Sequence, residues 1–327
     1  VLFPESGALP IAVPFFRFYP MKKIRFATAL VALCSLLLAP RAVAQDDLMN
    51  LLNADSAKLT RPVAATFKGT RLINGHSVET VRGKSLDFLI QHRFGRLNSG
   101  TENFFGLDEA IIRLGLEYGV SDRLTIGVGR SSNRKTVDAF AKYRLLRQST
   151  GARRVPVSIT LFASDAIVTE PTLNNASGTE YFSNRERQNY TFQALIARKF
   201  SERLSLQLMP TALKVGKVPT RGDEWVTALG VGGRIKVSKR VALVGEYYFV
   251  PEDQRRAYGS YNALALGFDI ETGGHVFQLH FTNARGMIEK QFLTNTTGTW
   301  GKGDVHYGFN ISRTFSFDKK ARQPKTW

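Results

Sequence analysis

The chain has 327 residues, with 45 Lys and Arg against 27 Asp and Glu, a formal net charge of +18 and one cysteine. A single cysteine excludes a disulfide framework and a cysteine-based zinc site. A basic balance can mean nucleic acid, but the export signal described next excludes it and points to an anionic membrane surface or an anionic solute.

Residues 1–20 precede Met21, where a signal begins, and are read as a mis-called upstream stretch and left out of the fold reasoning. Lys22, Lys23 and Arg25 form a positive n-region, residues 26–39 an apolar h-region, and Ala42-Val43-Ala44 a small-x-small cleavage box. That is a signal peptide over 21–44, cut after Ala44. Cys34 lies inside the h-region after Leu33, which does not fit a lipidated cysteine. Residues 1–44 hold five cations and one acid, so the mature chain carries about +14 and no cysteine. No later run of about 18 apolar residues offers a transmembrane helix.

Residues 45–61 read as a flexible leader in which Leu48, Leu51 and Leu52 allow one amphipathic turn. Over 62–81, Val63, Ala65 and Phe67 share one face of an extended strand, and Asn74-Gly75 is a two-residue hairpin signal. We read 45–81 as a periplasmic leader ending in a short hairpin or inward-tucked segment. Whether it plugs the barrel, joins the wall or stays periplasmic is open at this level.

From residue 84 the pattern is period two. Alternating segments lie at 84–94, 110–120, 123–131, 136–146, 155–164, 189–200, 203–215, 225–237, 241–250, 261–270, 275–285 and 305–317. The last, VHYGFNISRTFSF, puts Tyr307, Phe309, Ile311, Phe315 and Phe317 on one face and His306, Gly308, Asn310 and Ser312 on the other. Thirteen residues exceed the usual soluble strand of about 5–6 and suit a tilted bilayer crossing of about 9–11. Arg313 on the apolar face falls near the periplasmic rim, where its head can snorkel. Short VSDR, FSER, VSKR and ETGG turns alternate with longer loops near 95–109, 165–188, 214–224, 251–260 and 286–304; SSNRK at 131–135 is the tight exception. The reading is a transmembrane antiparallel up-and-down β-barrel of about 12 strands over 82–317, in the outer membrane, followed by a tail at 318–327.

Charges belong on the inward face. Asp87, Arg93, Arg113, Glu117, Asp138, Lys142, Arg144, Arg234, Glu246, Asp269 and His280 are the expected lumen-lining residues. With both signs present, the lumen is either filled by paired side chains or a narrow, mildly basic pore. Chemistry finds little support. No His-x-Ser pair, G-x-S-x-G or His-Glu-x-x-His occurs, and His280 with His306 lacks a third metal ligand. No catalytic residue, metal or other cofactor is expected. Asn-x-Ser/Thr sites carry no weight for an exported bacterial-type chain.

Several stretches carry a resemblance: ATFKGTRLINGHSVE (65–79), HRFG (92–95), FGLD (105–108), GVGRSS (127–132) and KYRLLRQ (142–148). The chain resembles a family of gram-negative outer-membrane β-barrel proteins known as a domain of unknown function. The resemblance spans roughly 62–317. It implies a barrel and an outer-membrane location, and no reaction.

The expected function is a passive channel or transport accessory for a small solute. The alternative is a closed structural barrel that binds a protein partner through loops 165–188 and 286–304, where Trp300 sits, with Phe104-Phe105 in another loop. A lipid-active enzyme is the remaining reading. Implied partners are outer-membrane lipid and the barrel-assembly machinery, which would engage the strand ending at Phe317. N-terminal sequencing of protein recovered from membranes should begin at Gln45; a start at Met21 would contradict cleavage.

Overall fold

The computed structural model describes residues 59–317, apart from 171, 176–177 and 273–274. The expected signal peptide at 21–44, the residues before it, most of the expected leader and the tail at 318–327 lie outside the described residues. Twelve antiparallel strands close into one barrel. They are β1 (Ser85–Arg96), β2 (Ala110–Gly119), β3 (Leu124–Ser131), β4 (Thr136–Leu146), β5 (Ser158–Val168) and β6 (Gln188–Lys199). The second half is β7 (Leu204–Lys214), β8 (Trp225–Lys236), β9 (Val241–Phe249), β10 (Leu264–Thr272), β11 (His275–Thr282) and β12 (His306–Ser316). Each pairs with its sequence neighbours, and β12 closes on β1 from Ser316 opposite Ser85 to His306 opposite Arg96. Closure removes every sheet edge of the barrel.

The alternation decides which way each side chain points. On β2, Ile112, Leu114, Leu116 and Tyr118 are exposed, while Arg113 and Glu117 are buried. The same parity runs through the other strands. Arg313 lies on the outer face at the strand end, its guanidinium 4.9 Å from the Phe315 ring centroid.

Three of the short turns share one device. Ser121, Ser201 and Ser238 each accept, through Oγ, the backbone N–H of the residue three on: Leu124 at 3.1 Å, Leu204 at 3.0 Å and Val241 at 3.1 Å. A serine hydroxyl that satisfies a turn amide fixes a tight reversal. These turns lie at one end of the barrel, the turn end. The other end carries the long loops, with short helices α1 (Asn184–Arg187) and α2 (Glu252–Ala257).

Two strand expectations need correction. The strand placed at 155–164 runs instead over Ser158–Val168. Pro156 has no N–H for the ladder, and Val155 instead bridges Ser149, beside the short pairing of Arg61–Pro62 with Ser149–Thr150. Val63, Ala65 and Phe67 do not share a strand face: Ala65 sits at φ 44° and is exposed, while Phe67 is buried.

The lumen is filled from both ends. Residues 66–81 fold in from the turn end, and 283–305 fold in from the loop end carrying α3 (Glu289–Thr294). Loop 286–304 is therefore not presented outward as expected, because Met287, Ile288, Phe292 and Leu293 are buried apolar side chains. Among the described residues no helix is long and apolar enough to cross a membrane. Placing a charge on the outer face at mid-strand should be costly. Leu114→Arg is expected to lose about 2–4 kcal/mol of stability in lipid vesicles, measured by guanidinium unfolding followed through tryptophan fluorescence.

Candidate functional site: the plugged lumen

The inward segment at 66–81 is a hairpin. Arg71 bridges His76, Ser77 N–H donates to Thr70 O at 2.9 Å, and Leu72 N–H donates to Gly75 O at 2.8 Å. The turn is thus centred on Ile73-Asn74, one residue before the expected Asn74-Gly75. Its tip needs glycine at 75 because a Cβ there would lie 1.8 Å from the Tyr248 hydroxyl.

The tip points three backbone N–H groups at one wall carboxylate. Ile73, Asn74 and Gly75 donate to Glu246 at 3.2, 2.7 and 3.1 Å. Successive amides converging on one anion form a nest. Arg93 donates to the Asn74 side chain at 2.7 Å, and Asn310 donates to Ile73 O at 3.0 Å. Gln207 receives Val78 N–H at 2.7 Å and donates to His76 O at 2.8 Å. Thr160 donates to Val78 O at 2.7 Å, and Gln278 donates to Leu72 O. Irregular backbone survives at membrane depth only when protein satisfies its polar groups, and here wall side chains do so.

The expected lumen residues all lie on inward strand positions, with different partners. Arg113 is fully buried and pairs with Asp138 through two hydrogen bonds. Glu117 faces Arg71 of the hairpin at 3.8 Å. Lys142 donates to the carbonyls of Thr70 and Glu79, and Arg144 pairs with Glu79 at 3.0 Å. Arg234 sits apart from the hairpin tip, paired with Asp269 at 3.3 Å and Glu271 at 2.5 Å. Asp87 lies toward the turn end, in register with Glu117 and Thr314. His280 is buried without a hydrogen-bond partner, packed against the wall at Gly267 and Gly308. His306 Nδ1 lies 2.9 Å from Phe94 O. Among the described residues no three His, Cys, Asp or Glu gather in a metal-binding group.

Sequence reasoning missed the other half of the wall. Phe140, Phe162, Leu195, Met209, Val244 and Tyr248 point inward and pack with Phe67, Leu72, Ile73 and Val78 of the hairpin. The signal was there in the strand parity, since each falls between outward neighbours. Glycines make room across the wall: a Cβ at Gly129 would sit 2.2 Å from Arg113 Nη2. From the loop end, α3 completes the closure. Phe292 packs on Tyr248 with ring centroids 4.8 Å apart, and Glu289 comes within 3.9 Å of His76. Above this lies a polar vestibule of about 560 Å³, lined by Arg96, Glu109, Arg285, Asn295, Thr297 and His306 among others. Its arginines are matched, Arg96 by Asp304 at 3.3 Å and Arg285 by Glu109 at 3.1 Å.

A family model described as a membrane bound beta barrel domain, DUF5777, matches residues 67–315. The chain belongs to this family. The match takes in the barrel and most of the hairpin that fills it. No curated protein matches. Among solved structures the chain is similar to the NanC porin, with 12% identity, 71% of this chain and 100% of that one covered, and a TM-score of 0.42. It is similar to the KdgM porin at 11% identity, covering 71% and 99%, with a TM-score of 0.41. A mutant Rh. blastica porin gives 11% identity, covering 63% and 55%, with a TM-score of 0.30.

Removing the Glu246 carboxylate should leave three buried amides without an acceptor, each costly. In a chain beginning at Gln45, which lacks Cys34, Ser77→Cys should react with a membrane-impermeant maleimide at least tenfold faster when combined with Glu246→Ala. Equal labelling rates would show that Glu246 does not seat the hairpin.

Proposed function

We propose that this protein is an outer-membrane channel for small polar solutes, closed at rest by its own N-terminal hairpin, rather than an enzyme. The observation that carries the reading is the two-sided wall. The side built from β5 to β9 grips the hairpin with apolar residues such as Phe162, Leu195 and Met209. The side built from β12 through β4 offers Asn310, Gln91, Arg93, Arg113, Glu117 and Lys142. Moving the hairpin aside uncovers that polar side as a continuous stripe below the vestibule. A solute needs such a stripe, because it replaces hydration along the path.

The lumen's basic excess is largely met by partners, Asp138 for Arg113, Glu79 for Arg144 and Asp269 with Glu271 for Arg234. The path then favours polar solutes more than it selects anions. The turn end faces the periplasm and the loop end faces outward, as short turns and long loops do in outer-membrane barrels. A second reading, a permanently closed barrel, draws on the same apolar grip.

Planar-bilayer recording separates the two. The mature chain from Gln45 should show rare steps, and a variant lacking residues 62–81 should show frequent, reproducible ones of weak ion selectivity. Silence from a deletion variant that still migrates as a heat-modifiable barrel would favour the closed barrel.

A further inference from the structure

The positive charge of the barrel is concentrated at one end. At the turn end, the segments 59–70, 79–84, 119–124, 144–157, 198–204, 236–241, 271–275 and 313–317 hold 16 Lys and Arg against four Asp and Glu. At the loop end, the segments 95–110, 130–136, 165–188, 214–225, 251–262 and 283–305 hold 14 against 13. The hairpin and the inward strand positions between them hold five of each. Nearly the whole excess therefore sits on one rim. Residues 45–58 and 318–327, outside the described residues, carry formal charges of −2 and +3, so together they cannot cancel it.

Three turns on this rim place an arginine in the same way. In VSDR, FSER and VSKR the arginine follows the serine by two residues. Its backbone N–H donates to the serine Oγ, Arg123 to Ser121 at 3.3 Å, Arg203 to Ser201 at 3.2 Å and Arg240 to Ser238 at 3.3 Å. All three side chains are exposed. The residue before each serine is apolar, and Val120 and Val237 are 48% and 63% exposed on the outer face. Each turn thus sets an apolar side chain at the hydrocarbon edge beside a cation that can reach the headgroups. The β4–β5 connection adds exposed Arg147, Arg153 and Arg154, and exposed Lys84 and Arg313 flank the β12–β1 seam. The ETGG turn between β10 and β11 is the one connection at this end without a cation.

Of the four acids, Glu79 pairs with Arg144, Glu202 with Lys199 and Glu271 with Lys68 and Arg234, and Asp122 accepts the Gly83 N–H at 2.9 Å. The formal charge of the whole rim, not the pairing of any one side chain, sets the excess. A docking patch for an acidic protein would gather on one side. These cations instead circle the barrel at the edge of its outward apolar face, the level where bilayer meets water. Phospholipid phosphates lie at that level, and anionic lipids attract Lys and Arg there. The guanidinium fork matches phosphate oxygens. We propose that the turn-end rim selects anionic phospholipids from the leaflet it faces, with Arg123, Arg203 and Arg240 donating to headgroup phosphate oxygens. This rests on the membrane barrel alone and holds whether or not the hairpin moves.

The test reconstitutes the chain beginning at Gln45 in phosphatidylcholine bilayers. Electron paramagnetic resonance then compares the association of spin-labelled phosphatidylglycerol and spin-labelled phosphatidylcholine with the protein. A preference for phosphatidylglycerol of about threefold or more is expected at low salt, falling as salt screens it. The triple variant Arg123→Gln, Arg203→Gln, Arg240→Gln should lose most of that preference while heat-modifiable migration is kept. The loop-end pair Arg221→Gln, Arg256→Gln should keep it. If the triple variant does not fold, Lys239→Gln with Arg240→Gln in a single turn should still lower the preference, and the wild-type measurement stands by itself. Equal association of the two lipids with folded wild type overturns the proposal. So does an undiminished preference in the folded triple variant, or an equal loss in the loop-end pair. Sedimentation with murein sacculi, without any lipid preference, would assign the rim to the cell wall and overturn it too.

Discussion

The arrangement depends on a carboxylate buried in the barrel wall. Among the described residues Glu246 makes no ion pair, and three backbone amides of the hairpin tip meet it instead. A buried carboxylate is expensive unless its charge is met by fixed donors. A turn tip inside a barrel is equally expensive unless its amides find an acceptor. Each solves the other's problem, and neither is stable in place alone. Arg93, from the opposite side of the lumen, then orients Asn74 and so fixes the turn that aims the amides.

Around that contact the lumen divides. Against β5 to β9 the hairpin packs Leu72, Ile73 and Val78 as core residues, with Thr160, Gln207 and Glu246 holding its backbone there. Against β11, β12 and β1 to β4 it is held by side chains such as Gln278, Asn310 and Lys142 that reach its carbonyls. Apolar packing supplies seating energy, whereas hydrogen bonds that water can replace supply register at little net gain. In the proposed channel, that division would let the segment be held firmly and still exchange one polar environment for another. The inward loop adds a second closure through Phe292 on Tyr248.

The barrel was legible in the sequence because its signal is redundant. Twelve alternating segments, the serine-bearing VSDR, FSER and VSKR turns and the aromatic last strand each point to the same architecture, and errors of a few residues at one strand, as at 155–164, leave the closure unchanged. The inward charges were legible too, since a charge on the outer face is costly. The partners of those charges were not. Glu246 could be placed inside from parity, but nothing local to β9 says that it receives amides from residues about 170 positions earlier. The hairpin gave a turn signal at Asn74-Gly75 and almost no periodicity, because its backbone is satisfied by the wall rather than by a ladder of its own. The loop 286–304 read as an exposed loop from its length. Its burial rests on Phe292 and Leu293, which single-sequence patterning cannot distinguish from exposed apolar loop residues.

A hairpin that closes a channel must be a seated but separable part of the barrel. Amide hydrogen exchange on the folded protein from Gln45 in detergent resolves this, since local openings of lower free energy than global unfolding exchange separately. The amides of Ile73, Asn74, Gly75 and Val78 should exchange far more slowly than in an unstructured peptide, yet measurably faster than those in the middle of β9 and β12. Exchange at the unstructured rate would mean that the hairpin is not seated. Exchange as slow as the barrel strands would mean that it leaves only when the barrel unfolds and cannot gate it.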